Sequence, residues 1–196
     1  MGEKIQPWDI VIALKEQWFR SNGISSVRKA FALHFGEHRY ENEKALLFIK
    51  QAAAPSLLYD PLIASLHGWS EPHFKAKIDI HAIAHISGGW IVGKFGHDIL
   101  RKKGYGAELD TLRGPPAIMQ SCAQWRWMTD HEAYQAWNGG QGMLLVVGEN
   151  DVASVLEEAK QFGVNAQVAG FVHEKNKELT LTSQFSWWGK FSYSLL

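Results

Sequence analysis

Asp79-Ile80-His81-Ala82-Ile83-Ala84-His85-Ile86-Ser87-Gly88-Gly89 decides the fold of this chain. Ile78, Ile80, Ala82, Ala84 and Ile86 share one parity, while Asp79, His81, His85 and Ser87 share the other. A period of two predicts a half-buried strand whose histidines emerge together on one face. Gly88-Gly89 breaks the strand, and a helical pattern starts at Trp90, runs to Lys103 and closes at Gly104. Strand, small-residue turn and helix N-terminus together make an anion site. The first helical N–H groups lack intrahelical acceptors, and the helix dipole favours negative charge there. Two histidines aimed at that place predict chemistry on a phosphorylated substrate.

Outward from this stretch, strands alternate with helices. Residues 8–14 (WDIVIAL) read as a strand, and residues 24–35 as a helix with Val27, Phe31 and Phe35 on its apolar side and Gly36 beyond its end. Residues 41–53 form a second helix stopped by Pro55, and Pro61 opens a third that runs to Gly68. After the helix that begins at Trp90, residues 107–112 read as a strand and Pro115-Pro116 introduces a helix. Thr129-Asp130-His131-Glu132 matches a capping box for a helix ending near Trp137. Residues 143–147 form a strand, Asn150 caps a helix to Phe162, and residues 167–172 form another strand. Leu179 and Leu181 mark a final β segment. The expected architecture is one mixed α/β sandwich layered around a sheet.

Composition narrows the function classes. The chain has 196 residues, 46% hydrophobic and 20% charged, enough to bury a proper core. Lys+Arg and Asp+Glu are both 20, so no electrostatic case exists for nucleic acid or an anionic membrane. Cys122 is the single cysteine, which fits a reducing compartment and reads as a small buried residue rather than a nucleophile. The first seven residues hold no apolar signal region, and no apolar run is long enough to cross a bilayer. A cytoplasmic location is expected. The 9 tryptophans are many for this length, and several beside Gly or charge are expected at rims or interfaces.

Each candidate site residue has a plain structural alternative. His85 can orient or protonate a substrate group, or simply bond a neighbouring backbone. His81-x-x-x-His85 is not a zinc site, because histidines four apart share a face closely only on a helix, and Ala82 stands where a metalloprotease glutamate would; no metal ligand set is expected. Ser87-Gly88-Gly89 lacks the Gly-Lys-Ser/Thr of a P-loop, so it is an anion turn or only a tight turn. Asn138-Gly139-Gly140-Gln141-Gly142 carries three glycines in five residues, more than a turn needs, which suggests backbone approach to a ligand or loop mobility. Asn22 is either a helix cap or a two-way hydrogen-bonder, and Arg28 either a solvated charge or an inward anion contact.

The same motifs carry a family resemblance. His81-Ala82-Ile83-Ala84-His85-Ile86-Ser87-Gly88-Gly89 resembles the His-Ala-Ile-Ala-His-Ile-Thr-Gly-Gly signature of aminoimidazole ribonucleotide (AIR) synthase, the phosphoribosylformylglycinamidine cyclo-ligase of purine biosynthesis. Ser21-Asn22-Gly23-Ile24-Ser25-Ser26-Val27-Arg28-Lys29 resembles its Ser-Asn-Gly-Tyr-Ser-Leu-Val-Arg-Lys, and Tyr134 to Met143 its Tyr-Arg-Thr-Phe-Asn-x-Gly-x-Gly-Met. Ala54-Pro55-Ser56-Leu57-Leu58-Tyr59, Gly106-Ala107-Glu108-Leu109-Asp110 and Pro115-Pro116 are similar in family order, from about residue 8 to 172.

The resemblance covers that family's C-terminal domain, which implies a three-layer α/β/α sandwich distantly like a ferredoxin fold. Residues 1–14 would be the interdomain joining segment and first strand, and residues 15–196 the domain itself. The family's N-terminal ATP-binding domain would be absent from this chain, and with it most contacts to ATP and Mg2+. The implied substrate is formylglycinamidine ribonucleotide, a small ribonucleotide phosphate. In that family ATP phosphorylates its formyl-amide oxygen, and the ribosyl-bearing nitrogen then closes the imidazole. By position, Asn22 and His85 would lie nearest the reacting amide. Ser87, Gly88, Gly89 and Arg28 would serve the phosphate, and Asn138, Gly140 and Gly142 would shape the floor. The implied partners are the N-terminal half and a second copy in a homodimer.

Three departures bear on the substrate. Leu57 stands where the family has Arg, Trp90 replaces the third glycine of its Gly-Gly-Gly, and Glu16-Gln17-Trp18-Phe19-Arg20 replaces its Ser-Ser-Gly-x-His. They favour the alternative of a non-catalytic binding or interaction module. A selenophosphate synthetase or thiamine-phosphate kinase is disfavoured by the His-x-x-x-His-Ile-Ser-Gly-Gly run.

Overall fold

The computed structural model describes residues 2–20, 23–69, 72–73, 75–185 and 189–196. Among them, seven strands form one sheet: β1 (Ile10–Lys15), β2 (Ile80–His85), β3 (Gly106–Leu109), β4 (Gln141–Val147), β5 (Ala166–His173), β6 (Glu178–Thr182) and β7 (Lys190–Ser194). Their order is β2-β4-β1-β5-β3-β6-β7. Neighbours run antiparallel except β3 and β6, which are parallel. β1 lies between β4 and β5, and its apolar run Val11-Ile12-Ala13-Leu14 is buried on both faces, as an inner strand requires. The segment expected to join two domains is therefore also an inner strand of this sheet.

Each face is covered. On one, Val11, Ala13, Ala84, Leu144 and Val146 pack under Ile91, Phe95, Ile99 and Leu100 of the helix that follows the Gly-Gly turn. On the other, Ile12, Leu14, Leu145 and Val147 meet Leu62 and Leu66 of α3 (Asp60–His67) and Val155 and Ala159 of α7 (Val152–Gln161). That is the three-layer α/β/α arrangement. A separate helical cluster, α1 (Ile24–Phe35), α2 (Glu43–Ala52), α5 (Ala117–Trp125) and α6 (Asp130–Ala136), closes around Phe31, Met119, Cys122 and Trp137. Fully burying a side chain such as Phe31 or Met119 contributes roughly 1.5–3 kcal/mol relative to exposure.

Local chemistry sets the ends. Thr129 and Glu132 form the expected capping box on α6, and Gly36 and Gly68 end α1 and α3 with positive φ. The cap of α7 differs from expectation. Glu149–Asp151 makes a short 3₁₀ turn first, so Asp151 rather than Asn150 adjoins the helix. The helix after the Gly-Gly turn is wider than an α-helix over Val92–Leu100, with Arg101 N–H bonding Gly96 O five residues back, and tightens into α4 (Arg101–Lys103) before Gly104. Trp137 is fully buried, unlike the rim position expected of several tryptophans, whereas Trp8, Trp69 and Trp127 are exposed.

The signature strand itself is corrected. A bulge lies between Ile80, paired with Val147, and Ala82, paired with Val146. One extra residue reverses the alternation. Ile78 and Ile80 pack with the α3/α7 face, while Ala82, Ala84 and Ile86 join the opposite face. The single parity read from the sequence is two half-strands of opposite phase.

Candidate functional site

His85 is the last residue of β2, an edge strand, and is exposed. Its Nε2 lies 2.6 Å from Arg20 Nη2. Arg20 Nη1 in turn donates to Glu16 Oε2 at 2.7 Å, and the Glu16 side chain is fully buried. Glu16 Oε1 accepts from the Gln17 and Trp18 N–H groups at 2.9 and 3.3 Å. A buried carboxylate thus holds a guanidinium, and the guanidinium holds the histidine. The Arg20 guanidinium also lies 5.5 Å from the centre of the Tyr59 ring, whose hydroxyl donates to Lys15 O at 2.7 Å. Burial, then the Glu16 charge, pushes the Tyr59 phenol well above its usual range. Partial burial, with the Arg20 charge next, holds the His85 imidazole below its usual pKa of 6.5; Lys94 adds to this and Asp60 opposes it. His85 is accordingly neutral near pH 7.

An open cavity of about 550 Å³ is lined by His85, Ser87, Lys94, Asp98 and Lys102 with Ile83, Ala84 and Ile99. Lys94 Nζ pairs with Asp98 across one helical turn at 3.2 Å. Gly88 and Gly89 form the turn at its rim, where Trp90 N–H donates to Ser87 O at 2.9 Å. Trp90 follows with φ 56°, a left-handed conformation that glycine takes freely and other residues adopt at about 1–2 kcal/mol. Its side chain is 9% exposed and reaches the start of α1, where Gly23 leaves room for the ring. The indole thus lies between the turn and α1.

His81 does not join this group. Its Nδ1 donates to Asp9 Oδ2 at 2.6 Å, Asp9 being 5% exposed, and it lines a separate cavity of about 380 Å³ with Ile63, His67 and Trp69. The expectation that both histidines aim at one place fails because the bulge at Ile80/Ala82 separates their phases. Arg28 is exposed and lines a groove between α1 and α2 with Arg39 and Tyr40, away from His85. Asn22 lies outside the described residues.

The Asn138–Gly142 loop lies beneath the site. Asn138 is fully buried, its Nδ2 donating to Trp18 O and its Oδ1 accepting from Gly140 N–H, both at 2.8 Å. Gly140 O accepts the Glu16 N–H at 2.8 Å, so the loop props the segment that carries Glu16 and Arg20. Gly142 accommodates the Tyr59 ring, because any Cβ would overlap the Tyr59 hydroxyl, and its carbonyl accepts the Ile86 N–H at 3.0 Å. Asn138, Gly140 and Gly142 therefore support the site through Trp18, Glu16 and Tyr59.

Sequence reasoning did not place Glu16, Arg20 or Lys94 in the site. A signal existed for the first two, an acid four residues before an arginine in the stretch that departs from the resembled family. The bond from Arg20 to His85, 65 residues away, was not readable.

A bulged edge strand ending in His85, a Gly-Gly turn into a helix, and an inner strand that leads to the Ser-Asn-Gly segment define the AIR synthase C-terminal class of α/β sandwich. Residues 6–181 match the family described as AIR synthase related protein, C-terminal domain, and the chain belongs to that family. Among curated relatives, the phosphoribosylformylglycinamidine cyclo-ligase of Methanobrevibacter smithii is 30% identical over 181 residues, 90% of this chain and 49% of its own length. The chain thus spans about half the length of the curated relatives it matches. Solved structures share the fold. The hydrogenase maturation protein HypE in complex with ATP aligns with TM-score 0.60 and 12% identity over 100% of this chain and 53% of its own. T. maritima PurL complexed with FGAR aligns with TM-score 0.53 and 13% identity over 94% of this chain and 27% of its own. Among the described residues, no helix is long and apolar enough to cross a membrane.

Proposed function

We propose that this chain is the substrate-binding half of an AIR synthase-like, ATP-dependent cyclo-ligase acting on formylglycinamidine ribonucleotide. The observation that carries the reading is His85, held by Arg20, at the mouth of a cavity that also presents Ser87, Lys94 and a helix N-terminus. The turn amides and Lys94 suit a phosphate, and His85 suits the amide that is to be activated. Holding these two ends at fixed separation lowers the entropic part of the barrier. The likeness to the cyclo-ligase over 90% of the chain supports the same substrate class.

ATP would supply the phosphoryl group that turns the amide oxygen into a leaving group. Among the described residues, no group of three or more His, Cys, Asp or Glu side chains is placed to hold a metal ion. A Mg2+ ion accompanying ATP would be held with the partner half. A partner half carrying ATP is part of this proposal, as is a homodimer.

Trp90 and Leu57 favour a second reading, a binding module that has lost the reaction, because a tryptophan at φ 56° takes the place of the glycine that would follow the phosphate turn and the family's clamp arginine is gone. Calorimetric titration of formylglycinamidine ribonucleotide into this chain, followed by turnover with ATP and a family N-terminal half, separates the two. Saturable binding lost in His85→Ala, with turnover on reconstitution, is the expected result. Binding without turnover supports the module, and no binding to the reconstituted pair refutes the substrate assignment.

A further inference from the structure

We propose that Arg20 is a positioning residue that fixes His85 as a hydrogen-bond donor to the ligand, with buried Glu16 holding Arg20 in place. Only the ligand's identity rests on the function proposed above; the state of the imidazole does not.

A guanidinium carries N–H donors and no acceptor, and it stays charged at every accessible pH. Its Nη2 lies 2.6 Å from His85 Nε2, so that nitrogen must present its lone pair. A neutral imidazole has one protonated nitrogen, which places the proton on Nδ1. Protonating Nε2 would set one N–H against another at 2.6 Å, and the contact would have to break first.

Arg20 cannot easily move aside to allow this. Glu16 binds Nη1 at 2.7 Å, and the Glu16 carboxylate is itself tied to two backbone N–H groups and fully buried. Arg20 also has φ 60°, a left-handed backbone that costs roughly 1–2 kcal/mol for a residue with a side chain. Strain of this kind persists where surrounding structure over-determines it, and it gathers at functional sites. The charged groups around the imidazole act in both directions. Arg20 and Lys94 oppose a second proton, whereas Asp60 on α3 favours one.

The consequence is a choice of substrate atom. His85 meets the ligand through Nδ1–H and therefore recognises an acceptor oxygen, such as the formyl-amide carbonyl or a phosphate oxygen. It does not serve as a base through Nε2. The arrangement belongs to this chain's own Glu16-Gln17-Trp18-Phe19-Arg20 segment, where the resembled family carries different residues.

Long-range ¹H–¹⁵N correlation spectra of the ligand-free chain test this, with His85 assigned from His85→Gln. The expected wild-type pattern is a protonated Nδ1 and a bare Nε2 at pH 7. In Arg20→Met the population shifts toward Nε2–H and the His85 titration midpoint rises. Arg20→Lys, which keeps a charge and a donor, restores the midpoint in part. The His81 resonances stay in place throughout and report that the fold is kept. A wild-type spectrum with Nε2–H, or an Arg20→Met spectrum identical to wild type, overturns the proposal. Because no ligand is needed, either outcome leaves the cyclo-ligase reading to be judged by its own titration.

Discussion

The two ends of strand β2 carry the same side chain and use it in opposite ways. His81, at the bulge, donates to the buried carboxylate of Asp9, and the pair ties β2 to the residues leading into β1. His85, past the bulge, accepts from the Arg20 guanidinium and lines the open cavity beside Ser87 and Lys94. One histidine donates to a buried acid; the other accepts from a cation and, by partial burial and then that charge, is held below its usual pKa. The difference teaches that a repeated residue in a motif is not a repeated role. What separates them is the sign of the partner and a single extra residue in the strand.

That contrast can be broken experimentally. His81→Ala leaves Asp9 buried with, among the described residues, the Gln6 N–H at 2.8 Å as its remaining side-chain partner, and a buried charge stripped of its partner costs about 3 kcal/mol. Urea unfolding should show that loss, while His85→Ala on the exposed edge costs under about 1 kcal/mol yet lowers ribonucleotide affinity more than about tenfold, in line with about 1.4 kcal/mol of binding energy. Equal stability losses from both variants would mean that His85 is as structural as His81.

Next in size is Gly142→Ala, which forces Tyr59 off its seat under Arg20; overpacking of this kind costs about 1–3 kcal/mol. It should destabilise the fold and loosen the His85 end without touching the His81–Asp9 pair, as hydrogen exchange along β2 would reveal. Trp90→Gly removes a buried ring but also its left-handed strain, so a net loss of about 2 kcal/mol is expected. Phosphate affinity measured by calorimetry should rise in that variant; a fall would show the indole to be part of the binding surface.

A smaller effect comes from acid. The His85 pKa is held below its unfolded value, so as pH falls through about 6.5 the unfolded chain takes up a proton that the native chain resists. The His85 contribution to stability is therefore intact above that range and declines below it, until the native imidazole also titrates. Urea midpoints stepped from pH 7.5 to pH 5 should show a shallower acid-side decline for Arg20→Met than for wild type. The smallest effect belongs to Cys122, whose thiol burial pushes up to about 12. The native chain should resist thiol-directed reagents at pH 8, and rapid labelling would show that the helical cluster opens far more readily than the sheet.

Most of the elements were legible because their signals are local. Thr129 with Glu132, Gly36 after α1, the Gly88-Gly89 break and the apolar run of β1 each state their structure within a few residues. The bulge was not, since Ile80, Ala82, Ile83 and Ala84 are all apolar and suit either phase of a strand covered on both faces. β7 went unread although it alternates, Phe191 and Tyr193 turning inward between Lys190, Ser192 and Ser194, and it is held by pairing to β6. The site was half legible. The motif gave His85, Ser87, Gly88 and Gly89, whereas Glu16 and Arg20 reach His85 only through folding. Asn138 and Gly142 drew notice as binding residues, and their observed contacts are supports for Trp18, Glu16 and Tyr59.

The pairing of charges around the cavity has a consequence for how a ligand would be felt from a distance. Arg20 is matched by Glu16 and Lys94 by Asp98. Two of the cations near the mouth therefore project little field beyond their own partners. With Lys102 left as the further cation of the lining, a ligand arriving here would be drawn in only weakly and selected chiefly on contact, by the placement of donors. Association should proceed at the rate of an unsteered encounter and change little with ionic strength, so that selectivity resides in how long the ligand stays.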